Sequence, residues 1–192
     1  MPPARRCACL RAPEAVRFAV FITFDDKTQA AFQAMREDIA RNVPGAPNVQ
    51  GKMGPHLTLA VFDHQDQAEV TRIFASFAAD FRGFSVKFHK LGFFDGLWKI
   101  LYAAPLPQPE LLDLRLRAHS TFSGVAVMVP HYRDPADWIP HVTLSKGLKD
   151  RVFQDAMAYA EERWKPVTAS AWTTGLVNVQ RPLEVLASRS VK

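Results

Sequence analysis

Two five-residue stretches carry the side chains best suited to chemistry: Pro55-His56-Leu57-Thr58-Leu59 and Pro140-His141-Val142-Thr143-Leu144. Read as strands, both place the His and the Thr on one face, because successive side chains point to opposite sides. Leu57 and Leu59, and likewise Val142 and Leu144, then point the other way and belong in a core. Each stretch is apolar on one side and carries an imidazole and a hydroxyl on the other. Two such strands facing each other make a cleft with two imidazoles and two hydroxyls. Those groups can trade protons with a bound anion and hydrogen-bond it.

A third His-x-Thr, His119-Ser120-Thr121, lacks the leading Pro and the aliphatic frame. It follows Leu111–Ala118, which reads as a helix, and is taken as accidental. The paired motifs resemble those of the 2H phosphoesterase superfamily, named for two His-x-Thr/Ser motifs, and most closely its 2′-5′ RNA ligase-like branch. Three details support the resemblance. The first motif runs on as Leu59-Ala60-Val61-Phe62, Tyr132-Arg133 and Trp138 precede the second, and Gly92-Phe93-Phe94 opens a middle segment. It covers about Val16 to Ser190.

The resemblance implies a metal-independent phosphoesterase acting on a 2′,3′-cyclic phosphate or a 2′-5′ linkage in RNA or a nucleotide. His56 and His141 are then the catalytic residues, one taking a proton from water and the other protonating the departing alkoxide. Each such step is typically worth roughly 10²–10⁴-fold. Thr58 and Thr143 are substrate-binding residues, donating to the non-bridging phosphate oxygens as charge builds. Near-equivalent motifs leave open which His is base and which acid. An unperturbed imidazole titrates near ~6.5, so a bell-shaped profile centred near neutrality is expected unless the cleft shifts either group. No cofactor and no metal is expected, since no carboxylate cluster accompanies the motifs and there is no Gly-rich phosphate loop or nucleotide-activating lysine motif. The other function class compatible with these residues is an RNA- or nucleotide-binding module with the same cleft and little or no turnover.

The elements that must position the motifs follow from periodicity. Val16–Phe24 reads as the first strand, and Thr28–Asn42, with Ala31, Phe32, Met35 and Ile39 at helical spacing, as the first helix. His56–Phe62 is the first motif strand, followed by a helix over about Asp66–Phe81 with Val70, Ile73, Phe74 and Phe77 as its buried stripe. Phe84–Leu91 and Lys99–Ala104 read as strands joined through Phe94-Asp95-Gly96, and Pro109–Phe122 as the third helix. Val125–Val129 is a short strand, His131–Asp137 a polar loop, and Ile139–Ser145 the second motif strand. A fourth helix, Lys149–Arg163, precedes strands Val167–Val179 and Leu183–Ser188 around the Arg181-Pro182 turn.

That order hints at a duplication built around the motifs. The fold class is α+β with two lobes; the resemblance implies two pseudo-symmetric lobes of antiparallel sheet with outer helices, facing across a central cleft. Residues 15–192 form this single bilobal domain, and residues 1–14, with Pro2, Pro3, Arg5, Arg6 and Arg11 ahead of Glu14, a basic disordered arm.

At 192 residues and 48% hydrophobic the chain can bury one substantial core. No apolar run approaches the ~18 residues of a transmembrane helix, so no membrane partner is expected. Cys7 and Cys9 are too close for an ordinary disulfide and have no Cys/His cluster to complete a zinc site. A cytoplasmic monomer is expected. The net charge of +5 favours a phosphate-bearing partner without specifying one. Lys146 is a candidate phosphate contact or a solvated lysine; Phe94 and Trp98 are candidates for base stacking or for packing. Tyr132 and Trp138 line the cleft or pack it. His64, His89 and His131 have no repeated context and read as surface or core histidines.

Overall fold

In the computed structural model, which describes residues 15–49, 51, 53–180 and 182–191, every strand pairing is antiparallel. The basic arm, with Cys7 and Cys9, lies outside the described residues, as does Arg181 of the last turn. The first half of the chain runs β1 (Val16–Phe24), α1 (Asp26–Asn42), β2 (Leu57–His64), α2 (Gln67–Ala79) and β3 (Phe84–Phe94). Then come β4 (Lys99–Pro105), α3 (Pro109–Ser123), β5 (Val127–Met128) and a one-turn helix α4 (Pro130–Arg133). A 3₁₀ turn (Pro135–Asp137), β6 (Val142–Leu148), α5 (Asp150–Arg163), β7 (Val167–Asn178) and β8 (Glu184–Ser190) complete it.

The strands form one eight-stranded sheet, β1-β2-β6-β4-β3-β7-β8, with β5 added to β2. Because β7 also pairs with β1, six of these strands close a ring. Its two halves are the two lobes. One groups β1 and β2 with the C-terminal part of β7; the other groups β4 and β6 with β3 and the N-terminal part of β7. The motif strands touch at a single pair, Leu57 with Val142, and diverge from it. That one contact seats both motifs at the base of the cleft between the lobes.

Local chemistry explains the helix starts. The Asp25 carboxylate accepts from the Thr28 backbone N–H at 2.9 Å and the Thr28 hydroxyl at 2.8 Å, and also from Ser170 N–H at 2.8 Å on β7. One side chain thus caps α1 and ties it to the sheet, a role worth about 0.5–2 kcal/mol when only the cap is counted. Asp66 caps α2 by accepting from the N–H groups of Ala68 and Glu69 at 2.8 and 3.0 Å.

The apolar side of the motifs is the core. Leu57, Leu59, Val142 and Leu144 are all 0% exposed and share one cluster with Phe32, Ile39, Phe74 and Phe122 from the covering helices. Truncating such a side chain to Ala typically costs about 2–5 kcal/mol. β1 alternates but is apolar on both faces: Phe18, Val20 and Ile22 join this core, while Ala19 and Phe21 form a smaller cluster with Val177 on the other face.

Several boundaries moved. The second motif strand starts at Val142 rather than Ile139 and runs on to Leu148. The loop expected over His131–Asp137 is largely helical, because Pro130 and Pro135 occupy first-turn positions and the Asp134 carboxylate accepts from Ala136 N–H at 2.8 Å. The strand expected at Val125–Val129 pairs only through Val127 and Met128, and β3 continues to Phe94, which pairs with Ile100. Among the described residues no helix is long and apolar enough to cross a membrane.

Candidate functional site

Antiparallel continuation of the Leu57–Val142 pair sets His56 across from Thr143 and Thr58 across from His141. All four of these side chains lie on the face away from the core and are half-buried. Each imidazole is anchored the same way: His56 Nδ1 bonds the Gly54 carbonyl at 2.9 Å and His141 Nδ1 the Ile139 carbonyl at 2.8 Å. A carbonyl only accepts, so each Nδ1 carries the proton. In the neutral ring each Nε2 is then the basic nitrogen. No hydrogen bond to a described residue occupies either one.

The symmetry reaches the strands beside the motifs. Phe21 pairs across from Thr58, and Tyr102 across from Thr143, each immediately after a register shift. The Phe21 ring stands edge-on to His56 at 5.9 Å, and Tyr102 lies 5.3 Å from His141, which also has Phe94 edge-on at 4.9 Å. Behind each ring is a glycine: Gly175 pairs with Phe21, and Gly92 with Tyr102. A Cβ on Gly92 would come within 2.6 Å of the Tyr102 ring, and one on Gly175 would collide with the Phe21 ring. Gly175→Ala is therefore expected to lower both thermal stability and activity by pushing Phe21 against His56. Adding Phe21→Ala should restore part of the melting temperature lost; if it lowers it further, the collision is not the cause.

Electrostatics distinguish the two histidines. Burial pushes the His56 imidazole down to about 4, opposed by its bond to Gly54 and reinforced by the positive charges of Arg36, His141 and Lys146. Burial also lowers His141, opposed by its bond to Ile139. Both shifts favour the neutral ring at neutral pH.

A cavity of about 440 Å³ opens beside His141, walled by Phe94, Ile100, Tyr132, Trp138 and Ile139, with Asp95, Asp137 and His131 at its polar edge. Phe94, Tyr132 and Trp138 therefore face the cavity as well as packing. The Trp138 indole donates to the Thr58 carbonyl at 3.0 Å. Burial chiefly raises the Tyr132 hydroxyl, which also engages the Thr58 side chain. Trp98 is 53% exposed at the β3–β4 turn and, with exposed Lys146, lines a neighbouring depression. His131 belongs to the cavity edge, whereas His64 accepts from Asp66 N–H at 2.9 Å and His89 lies exposed on β3. His119 sits on α3, its Nε2 donating to the Arg133 carbonyl at 2.8 Å, away from the two motifs.

Sequence reasoning missed two residues, Arg36 and Arg115, buried at 3% and 1% exposure on helix faces where apolar side chains were expected. Helical spacing puts Arg36 in line with Phe32 and Ile39, and Arg115 in line with Leu111 and Ala118, but a charged residue type argues against burial. Among the described residues no group of three or more His, Cys, Asp or Glu is arranged to hold a metal.

A family model described as the 2′-5′ RNA ligase superfamily matches residues 24–181. A search of curated proteins found no match. Among solved structures, E. coli LigT complexed with 3′-AMP is similar with a TM-score of 0.60 and 16% identity, over 93% of this chain and 99% of that one. TT0787 of Thermus thermophilus is similar with a TM-score of 0.64 and 16% identity, over 91% and 97% of the two chains. Kluyveromyces marxianus Usb1 with uridine monophosphate gives 0.53 and 10%, over 89% and 97%. At these identities the structural likeness speaks to the fold: the α+β, antiparallel architecture expected from the sequence.

Proposed function

The chain belongs to the 2′-5′ RNA ligase superfamily of 2H phosphoesterases, and from that premise we propose that it hydrolyses a 2′,3′-cyclic phosphate or a 2′-5′ phosphodiester of RNA or a nucleotide without a metal. The observation that carries this reading is the Leu57–Val142 pair, which sets two identically anchored imidazoles and two threonines around one cleft.

His56 serves as the base. Burial lowers it to about 4 and the charges of Arg36 and Lys146 add repulsion, so it is the poorer proton holder and enters the reaction neutral. His141, lowered by burial without the added repulsion of Arg36 and Lys146, serves as the acid. With a cyclic phosphate between them, His56 Nε2 takes a proton from water as its oxygen bonds to phosphorus. The ester bond opposite breaks, and His141 gives its proton to the departing ribose oxygen. One water is consumed and one phosphomonoester and one hydroxyl appear. Thr58 and Thr143 donate to the non-bridging oxygens as their charge grows. The phosphate itself prepares the acid, since an anion within about 4–6 Å favours the imidazolium and opposes the effect of burial.

The cavity beside His141 suits a nucleoside, because aromatic walls stack on any base and each stack is worth about 1–3 kcal/mol. LigT was crystallised with 3′-AMP and with ATP, and Usb1 with uridine monophosphate; both are in keeping with a nucleotide ligand here.

The test is turnover of nucleoside 2′,3′-cyclic phosphates after exhaustive treatment with EDTA. Full activity is expected to survive. Loss of activity with EDTA, restored by a divalent ion, overturns the metal-free mechanism. Tight binding with no turnover of cyclic or 2′-5′ substrates would instead make the protein a nucleotide-binding module.

A further inference from the structure

Arg36 on α1 and Arg115 on α3 carry charge inside the core that no carboxylate balances. They are 3% and 1% exposed, and among the described residues neither forms an ion pair. Nε and Nη1 of Arg115 are buried with no hydrogen-bond partner among the described residues. Arginine is almost never fully buried unless paired, because desolvating a guanidinium is costly. Burial accordingly pulls both below the ordinary arginine range, Arg36 to about 10. Both nonetheless remain cationic at neutral pH.

Their placement follows the duplication. α1 comes after β1 and packs beneath β6; α3 comes after β4 and packs beneath β2. Each arginine therefore lies behind the motif of the other half. Arg36 Nε donates directly to the Thr143 carbonyl at 2.9 Å. Arg115 works through two intermediates. Its Nη2 donates to the Tyr132 carbonyl at 3.0 Å, and its guanidinium lies 5.9 and 5.7 Å from the Tyr132 and Trp138 rings. Trp138 in turn donates to the Thr58 carbonyl. Two chemically unlike routes end at the same backbone atom of the two motifs.

We propose that Arg36 and Arg115 are positioning residues for an anionic ligand, fixing the backbone that carries Thr143 and Thr58 and holding the cleft floor positive. A charge in the low-dielectric interior is weakly screened by salt, so its field reaches a phosphate that it never touches. The cost of burying two unbalanced charges is offset when an anion binds. The ligand class rests on the phosphoesterase reading; the effect on the His56 titration does not.

Arg36→Met and Arg115→Met remove the charges while filling similar space, and replacing a buried ion with a packed apolar chain is often neutral or stabilising. Both variants are expected to keep or raise the melting temperature and to bind inorganic phosphate roughly tenfold more weakly or worse. The groups whose positive charge opposes protonation of His56 are Arg36, Lys146 and, when protonated, His141. Removing the first should shift the His56 imidazole titration, followed by NMR, upward in Arg36→Met. Unchanged phosphate affinity together with an unchanged His56 titration overturns the proposal and leaves two structural arginines. If a Met variant does not fold, the Lys variants decide. An ammonium keeps the charge but lacks the fork, so phosphate affinity should persist while kcat falls; affinity and kcat both at the wild-type level overturn the positioning role. A wild-type protein that passes the phosphate and NMR tests yet hydrolyses no cyclic phosphate keeps this inference and removes the proposed activity.

Discussion

His56→Ala and His141→Ala are each expected to lower kcat/KM on a nucleoside 2′,3′-cyclic phosphate by at least the roughly 10²–10⁴-fold that one acid–base step supplies. The two variants should part company on a p-nitrophenyl ester, whose leaving group departs without a proton. Removing the acid then matters little, so His141→Ala should recover much of its rate and His56→Ala should not. The reverse pattern would exchange the two roles. pH gives a second readout. For kcat/KM the free enzyme must hold one proton on the pair, and burial lowers both imidazoles, His56 to about 4. The singly protonated form is thus lost as pH rises through the higher of two values that both lie below the ordinary ~6.5. The optimum should fall on the acid side of that figure rather than at neutrality. His119→Ala should match wild type throughout. A dispensable His56 or His141 beside an essential His119 would mean that the wrong motifs have been paired.

Thr58→Ala and Thr143→Ala should each lose about 10²–10³ in kcat, the usual effect of deleting one preorganised donor to a developing oxyanion. Thr→Ser at either site keeps the hydroxyl and should retain most activity. The two are not equivalent in their surroundings. The Thr58 side chain engages Tyr132, so Thr58→Ala also removes a partner from a cavity wall and should raise KM. Thr143 is held through its carbonyl by Arg36, a contact the substitution leaves intact, so its loss should appear in kcat alone. Wild-type rates in both Ala variants would show that the threonines only pack.

Much of the scaffold was legible because the motifs carry their own period. Leu57 and Leu59 alternate with His56 and Thr58, and their complete burial follows from that. β1 was read with its observed bounds because Val, Ile and Phe dominate it. Where reading failed, the deciding interaction was non-local. Nothing in either motif says that Leu57 pairs with Val142, because register between distant strands is a tertiary property. Phe94 reaches His141 only because β3 runs past the expected turn, an extension set by pairing with Ile100 on β4. Met35 was expected in the stripe of α1, yet the fully buried position is its neighbour Arg36; an arginine in a helix looks the same in sequence whether solvated or enclosed. The helical turns before the second motif were signalled by Pro130, Asp134 and Pro135, residues whose turn and capping roles were passed over in favour of a polar loop.

The closed path of strands has a consequence for how the molecule comes apart. β7 is hydrogen-bonded to β1 of one lobe and β3 of the other, and Leu57 bonds β2 to β6 at the far side. Neither lobe can melt without stripping backbone partners from its twin, so the two should behave as one cooperative unit. Heat or urea should give a single coincident transition by every probe. Amides in the centre of β7 should exchange with solvent only through global opening, and neither half-chain should fold when expressed alone.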